Sequence, residues 1–146
     1  MRGYFGIGID NSKFEINLGT LWRSAMSFGA SFTFTTGERY KHSASDTAKT
    51  WRHIPHFYYS DISELRIPED CSVVGIENID SATSLERFTH PTRCIYLLGA
   101  EDSGLSDKAL NMCDTVIIIP TLHCINVSVA GSIVMYDRVL KGNIKE

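Results

Sequence analysis

The sequence predicts an α/β fold, a parallel-rich sheet flanked by helices. Three observations lead there. Short apolar runs of strand length alternate with stretches of helical period. Two of those runs, Ile95 to Leu98 and Val116 to Ile119, end abruptly in small loops that expose backbone. No Pro- or Gly-rich linker divides the 146 residues, a length that suits one domain with a sizeable core. Strands alternating with helices favour parallel pairing.

In chain order, Tyr4 to Asp10 is the first strand, with Phe5, Ile7 and Ile9 alternating against Gly6 and Gly8. Asp10 to Lys13 reads as a turn. A helix follows from about Asn17 to Phe28, its apolar face made of Leu18, Leu21, Trp22, Ala25 and Phe28. Asn17 suits its N-cap and Gly29 its stop. Gly19 and Arg23, four apart, share a face. A guanidinium beside the free N–H groups of a helix start would make an anion site. An exposed arginine beside a packing glycine is the plainer alternative.

Ser31 to Thr36 is the second strand. Residues 37–56 are polar and without a clear period. Phe57 to Ser60 is a short strand, Ile62 to Leu65 a helical turn, and Ser72 to Ile76 a buried strand ending at Glu77. A short helix is expected around Ser84 to Phe88. The strand ending at Leu98 leads into a helix at Ser106 to Met112, capped by Ser106. The last strand, Val116 to Ile119, precedes a long helix from about Ile125 to Leu140.

Composition is that of an ordinary globular protein, 43% apolar. No run approaches the ~20 apolar residues of a membrane helix, and no signal peptide is visible, so a cytoplasmic protein is expected. The four cysteines contain no Cys-x-x-Cys pair, and the five histidines lack zinc-ligand company, so no metal is expected. The net charge of -3 argues against a simple electrostatic nucleic-acid binder. It is unevenly spread: residues 1–66 hold eight Lys/Arg and six Asp/Glu, residues 67–146 six and eleven. Between residues 31 and 60, four basic residues stand among seven aromatics, a mixture that suits unpaired RNA. A solvated face with ordinary core aromatics explains it equally well.

The chemistry concentrates in the last third, Cys94 to Lys141. Its loops Gly99 to Gly104 and Pro120 to Cys124 follow two strands, where open α/β sheets bind ligands. Gly99 to Gly104 lacks both the dinucleotide spacing and a Walker Gly-Lys-Ser/Thr. No Gly-x-Ser-x-Gly elbow marks a hydrolase.

These residues carry a resemblance. The runs GAEDSGLS (99–106) and IPTLHCINVSVAGSIVMYD (119–137) resemble the second and third motifs of the SpoU-type RNA methyltransferases of the SPOUT class. The first motif, Asn-x-Gly-x-x-x-Arg-x-Ala, is matched by Asn17, Gly19, Arg23 and Ala25. All three occur in order. The resemblance implies a C-terminal trefoil knot, a single domain over 1–146 with no N-terminal RNA-binding extension, and a homodimer with Tyr136, Val139 and Leu140 near the interface. It implies S-adenosyl-L-methionine as methyl donor, held by Gly99, Ile119, Cys124, Ile125 and Glu77. It implies transfer to a ribose 2′-hydroxyl of RNA, tRNA favoured over rRNA, with no membrane involved.

Arg23, Asn126 and Ser128 are the implied catalytic residues. Asn17, Arg39, Lys41 and Arg52 are the expected substrate contacts. Arginine stays protonated, so Arg23 is expected to hold phosphate and stabilise an alkoxide rather than act as a base. For Asn126 and Ser128, capping of the last helix is the alternative. Glu101 is expected to tie its loop to the first-motif helix. The loop before Asn126 looks short for the family, with Thr121 and Cys124 in unusual positions. A donor-binding module without RNA transfer, a methyltransferase acting on a base or protein, and a nucleotide-binding domain without methyl chemistry remain as alternatives.

Overall fold

A computed structural model describes residues 3–13, 15–37 and 49–143. Its centre is a seven-stranded sheet: β1 (Tyr4–Asp10), β2 (Phe32–Thr36), β3 (His56–Tyr59), β4 (Ser72–Ile76), β5 (Thr83–Ser84), β6 (Arg93–Leu98) and β7 (Thr115–Ile118). The order is β3-β2-β1-β6-β4-β7-β5, and every pairing is parallel. The helices are α1 (Glu15–Phe28), α2 (Asp107–Met112) and α3 (Val127–Asn143).

Alternation in β1 sorts its residues between two cores. Phe5, Ile7 and Ile9 join Leu18, Leu21, Trp22, Val134 and Met135 beneath α1 and α3. Gly6 and Gly8 face the other way. A Cβ there would lie 2.3 Å and 2.5 Å from the rings of Phe32 and Phe34. Removing two side chains from β1 thus makes room for two rings on β2, and Phe34 enters the second core with Ile95, Leu97, Leu105 and Ala109.

α1 and α3 lie side by side and run in the same direction. Three rungs fix this: Asn126 Nδ2 to Asn17 Oδ1 at 2.8 Å, Ser132 Oγ to Ser24 Oγ at 2.9 Å, and the rings of Phe28 and Tyr136 with centroids 6.2 Å apart. Gly131 allows the close approach, because a Cβ there would meet Leu21 at 2.5 Å.

Most expected elements are present, with shifted ends. Gly29 stops α1 at φ +85°. Ser106 caps α2, its Oγ accepting from Ala109 N at 3.1 Å. The helix expected at Ser84 to Phe88 is instead the short strand β5 followed by a single 3-10 turn, Leu85–Arg87. The edge strand runs His56–Tyr59, one residue earlier than its apolar pattern suggests. α3 starts at Val127 rather than Ile125. α1 starts at Glu15, two residues before the expected Asn17 cap.

The far end of α3 is fixed by a polar cluster at the amino ends of the strands. Arg138 donates to Tyr96 Oη (3.1 Å) and to the carbonyls of Pro91 (2.7 Å) and Thr92 (2.9 Å). The Tyr96 phenol, whose pKa burial pushes up, keeps its proton. It donates that proton to His90 Nδ1 at 2.6 Å, so His90 Nε2–H donates to Asp137 at 2.7 Å. Burial lowers the His90 pKa, against the pull of Asp137. The folded state therefore takes up the His90 proton at lower pH than the unfolded chain, which binds it near pH ~6.5. Stability should accordingly fall as pH drops from about 7 through the unfolded value of ~6.5 toward the lowered folded one. Melting temperatures across that range should show the slope, and His90→Gln should flatten it.

Candidate active site

The sheet's direction of growth reverses at β1. From β1 the chain builds outward to β2 and β3, and β6 begins the other wing. In open α/β sheets the crevice above such a reversal is where ligands bind. The segments carrying Asn17, Glu77, Gly99, Ile119 and Asn126 all leave from the carboxyl rim of this sheet. β1 leads into α1, β6 into loop 99–105, β4 into Glu77, and β7 into loop 119–126.

Glu101 is the hub. Its Oε1 accepts from Ser12 Oγ (2.9 Å) and Asn17 Nδ2 (2.8 Å), and its Oε2 from Lys13 N (2.8 Å). Burial alone would raise its pKa, but the bonds from Lys13, Asn17 and Ser12 outweigh that and hold it below the ordinary carboxylate value. Asn17 passes the connection on. It is only 6% exposed, and its Oδ1 accepts from Asn126 Nδ2. Asn126 Oδ1 in turn accepts from Ser128 N (2.9 Å), Ser128 Oγ (2.5 Å) and Val129 N (3.3 Å), which caps α3. One hydrogen-bonded chain, Glu101–Asn17–Asn126–Ser128, thereby joins three segments far apart in sequence.

Glu101 has the expected tying role. Asn17 lies inside α1 and does not cap it, because the helix begins at Glu15. Asn126 does cap α3, and Ser128 is buried at 3% exposure with its hydroxyl on Asn126. Neither bonds to Arg23.

Arg23 differs most from expectation. It sits eight residues beyond Glu15, about 12 Å down the helix axis at ~1.5 Å per residue and well away from the free N–H groups. It belongs to the exposed stripe Ile16, Thr20, Arg23 and Ser27. Its guanidinium has no ion-pair partner among the described residues. The anion site expected from Gly19, Arg23 and a helix start is therefore not formed within one chain.

The loops expected to hold the donor adjoin one another. β6, β4 and β7 are neighbours, with Ile76 in register with both Leu98 and Ile117, so Glu77, Gly99 and loop 119–126 share one stretch of rim. Glu77 uses its carboxylate on backbone, accepting from Leu105 N (2.7 Å) and Asn78 N (2.9 Å). At Gly99 a Cβ would lie 2.3 Å from Gly104 C and Leu105 N. Glycine is needed there because the loop closes on itself through paired Ala100–Gly104 bonds, with Gly104 at φ +67°. Ile119 is half-buried against the main core, and Ile125 is 37% exposed. Cys124 is a free, exposed thiol.

Arg52 is exposed on a 3-10 turn, Thr50–Arg52. Arg39 and Lys41 lie outside the described residues. Among the described residues no group of three metal-ligating side chains forms, and no helix is long and apolar enough to cross a membrane.

Sequence reasoning missed Ser12 and Lys13 N–H as anchors of Glu101, since a turn carries no sign of a partner 88 residues away. It also missed a hollow of about 520 Å³ at the carboxyl ends of β1 to β3. Asp10, 6% exposed and bonded to Thr36 Oγ1 at 2.6 Å, stands on its wall. None of the expected donor contacts lines it.

Comparison with known proteins agrees with this arrangement. Residues 5–136 match the SpoU rRNA Methylase family, and the chain belongs to that family. An uncharacterized tRNA/rRNA methyltransferase from Mycobacterium sp. (strain KMS) is 29% identical over 144 residues, which cover 90% of this chain and 45% of that protein. The chain thus spans about half the length of that curated relative. The SpoU methyltransferase AviRb from Streptomyces viridochromogenes, in complex with AdoMet, superposes with a TM-score of 0.84 at 19% identity, covering 98% of this chain and 59% of that one. A structure concerned with 2-OH methylation of C/U34 on tRNA is matched with a TM-score of 0.83 at 17% identity, over 96% of this chain and 98% of that one. At these identities the structural likeness establishes the fold.

Two outcomes follow from the network. Asn17→Ala strips one bond from Glu101 and one from Asn126, and should cost about 2 kcal/mol in denaturant unfolding. The Glu101 contribution should be complete above the ordinary carboxylate range and lost as pH falls through the lowered folded value. Glu101→Gln should therefore flatten the acid limb of the stability curve.

Proposed function

We propose that this chain is an S-adenosylmethionine-dependent RNA methyltransferase that acts on a ribose 2′-hydroxyl, with tRNA the favoured substrate. The observation that carries the reading is the chain Glu101–Asn17–Asn126–Ser128. It draws the first, second and third motifs of the family to one place on the carboxyl rim. The likeness to a structure concerned with 2-OH methylation of tRNA, matched over nearly its whole length, supports both the hydroxyl target and tRNA.

The rim suits the methyl donor. Three adjacent strand ends offer main-chain groups at Glu77, Gly99 and Ile119. Ile119 and the exposed Ile125 supply apolar surface, and Cys124 adds a small side chain. In this reading those five residues hold the donor, with Glu77 acting through its backbone because its carboxylate clamps Leu105. When bound, the donor supplies a methyl group already activated by a cationic sulfur. The chain's own task is alignment, which can contribute up to ~7–11 kcal/mol. Asn126 and Ser128 keep the start of α3 rigid beside the reacting groups.

In the same reading Arg23 serves the site of a second copy. It is exposed and lies far down α1 from its own rim. α3 carries an exposed apolar stripe, Val129, Ile133, Tyr136 and Leu140, at successive helical turns, and Ile125 just before the helix extends it. A homodimer that buries this stripe would bring Arg23 of one copy toward the donor loops of the other. There a permanent cation would hold the target phosphate and stabilise the alkoxide. The knot belongs to the proposal too, and β7 lying in a slot between the earlier β4 and β5 supports it. Arg52, with Arg39 and Lys41, supplies the proposed RNA contacts, whereas Asn17, expected among them, is buried and bonded to Glu101 and Asn126 and so positions the rim instead; the proposed compartment is the cytoplasm.

Calorimetric titration should give saturable donor binding. Labelled donor should transfer methyl to bulk tRNA in an alkali-resistant linkage, the mark of a blocked 2′-hydroxyl. Arg23→Ala should lower transfer at least about 100-fold, on the scale of a lost oxyanion donor, with donor affinity and melting temperature unchanged. Ile133→Asp should shift the sedimentation coefficient to that of a monomer and abolish transfer. Donor binding without transfer to any RNA would favour the binding-module alternative, which the net charge of -3 supports.

A further inference from the structure

We infer that the turn Lys49 to His53, with Tyr58 on edge strand β3, forms a stacking platform for unpaired RNA. This rests on the RNA-methyltransferase reading and names how that substrate is gripped away from the rim.

The platform is rigid and open. Thr50, 1% exposed, anchors the turn, and its carbonyl accepts from His53 N (2.8 Å) and Ile54 N (3.0 Å). Ile54 packs into the main core. The residues between are turned outward: Trp51 is 60% exposed, and Lys49, Arg52 and His53 are exposed beside it. The Arg52 guanidinium lies 5.0 Å from the centre of the Trp51 ring, a cation–π arrangement. A large indole held in water on a fixed turn is a poor use of apolar surface unless something covers it.

Tyr58 extends the surface. His56 packs on Trp22 of α1, with ring centroids 5.0 Å apart, and strand alternation directs Tyr58 to that same face. Tyr58 is 50% exposed. β3 is an edge of the sheet, and the turn packs against α1, the helix that carries Arg23.

An RNA strand fits these features better than a protein does. Exposed rings with the cations Lys49 and Arg52 beside Trp51 match bases and phosphates together. The site has no shape to select one base, so it should grip sequence-tolerantly. Duplex RNA keeps its bases stacked inside and offers the rings nothing.

Intrinsic fluorescence provides the probe. The chain has two tryptophans; Trp22 is 5% exposed, so quenching on RNA binding reports Trp51. A single-stranded oligonucleotide of about ten nucleotides should quench it saturably, and a duplex of equal length should not. Trp51→Ala should weaken binding of the labelled strand about 5- to 100-fold, as loss of a stacked base does, while Trp51→Phe should stay within about threefold. Tyr58→Ala should weaken it as well, and donor affinity should not move in any variant. Wild-type affinity in Trp51→Ala, equal quenching by duplex, or no binding of single strands would each overturn the platform. Trp51-dependent binding without methyl transfer by the wild type would instead leave the platform standing and remove the enzymatic reading.

Discussion

The arrangement depends on the amide of Asn17. One side of it donates to Glu101 and the other accepts from Asn126, so a single buried side chain holds together segments 84 and 109 residues away. Amides suit this position because they carry a donor and an acceptor on one rigid plane. Aspartate would face the Glu101 carboxylate with a second charge, and leucine would leave two polar partners unsatisfied in a partly buried place. Glu101 gathers donors from the side chains of Ser12 and Asn17 and from backbone, and these hold its pKa below the ordinary carboxylate value despite its burial. The site's geometry is thus set by polar bonds at the rim, while the apolar core below fixes only the general packing of α1 and α3.

The same network settles what one copy can do alone. Asn17, Asn126 and Ser128 are committed to each other and to the cap of α3, so they are scaffold at the carboxyl rim. Arg23 lies two helical turns further down and faces outward. The residues of the first motif therefore divide their labour. Asn17 works within the chain, Gly19 and Ala25 are buried in its packing, and Arg23 is offered outward.

Much of the fold could be read from residue patterns. Period-two alternation in β1 and continuous apolar runs in β4, β6 and β7 located the strands, and all pair in parallel. Glycine and serine marked the end of α1 and the start of α2. Polarity misled at Ser84 to Phe88: five residues with two apolar positions cannot distinguish one helical turn from a strand and turn. The start of α1 was placed late because Asn17, a good cap by type, has a stronger use as a bridge. That error carried Arg23 with it, since a helix thought to begin at residue 17 puts residue 23 within two turns of its positive end. The role of Glu101 was legible in outline, but its partners Ser12 and Lys13 were not, because local sequence holds no trace of contacts made through the tertiary fold.

α3 is clamped at both ends, and this confines where the site can vary. At the rim, Asn126 closes its first turn and bonds to α1. At the other end, Lys141 donates to the carbonyls of Leu85 (2.6 Å) and Phe88 (2.9 Å), and Arg138 to those of Pro91 and Thr92. A helix held this way cannot slide, and Ile119 is likewise fixed by its packing on the core. The six residues between, Pro120 to Ile125, span two immovable points and are all exposed, Leu122 at 97%. Substitution there disturbs neither core nor cap. The two unusual residues of the third motif, Thr121 and Cys124, both fall inside this span. Their effect is therefore on the exposed surface of the loop, and not on the scaffold that carries it.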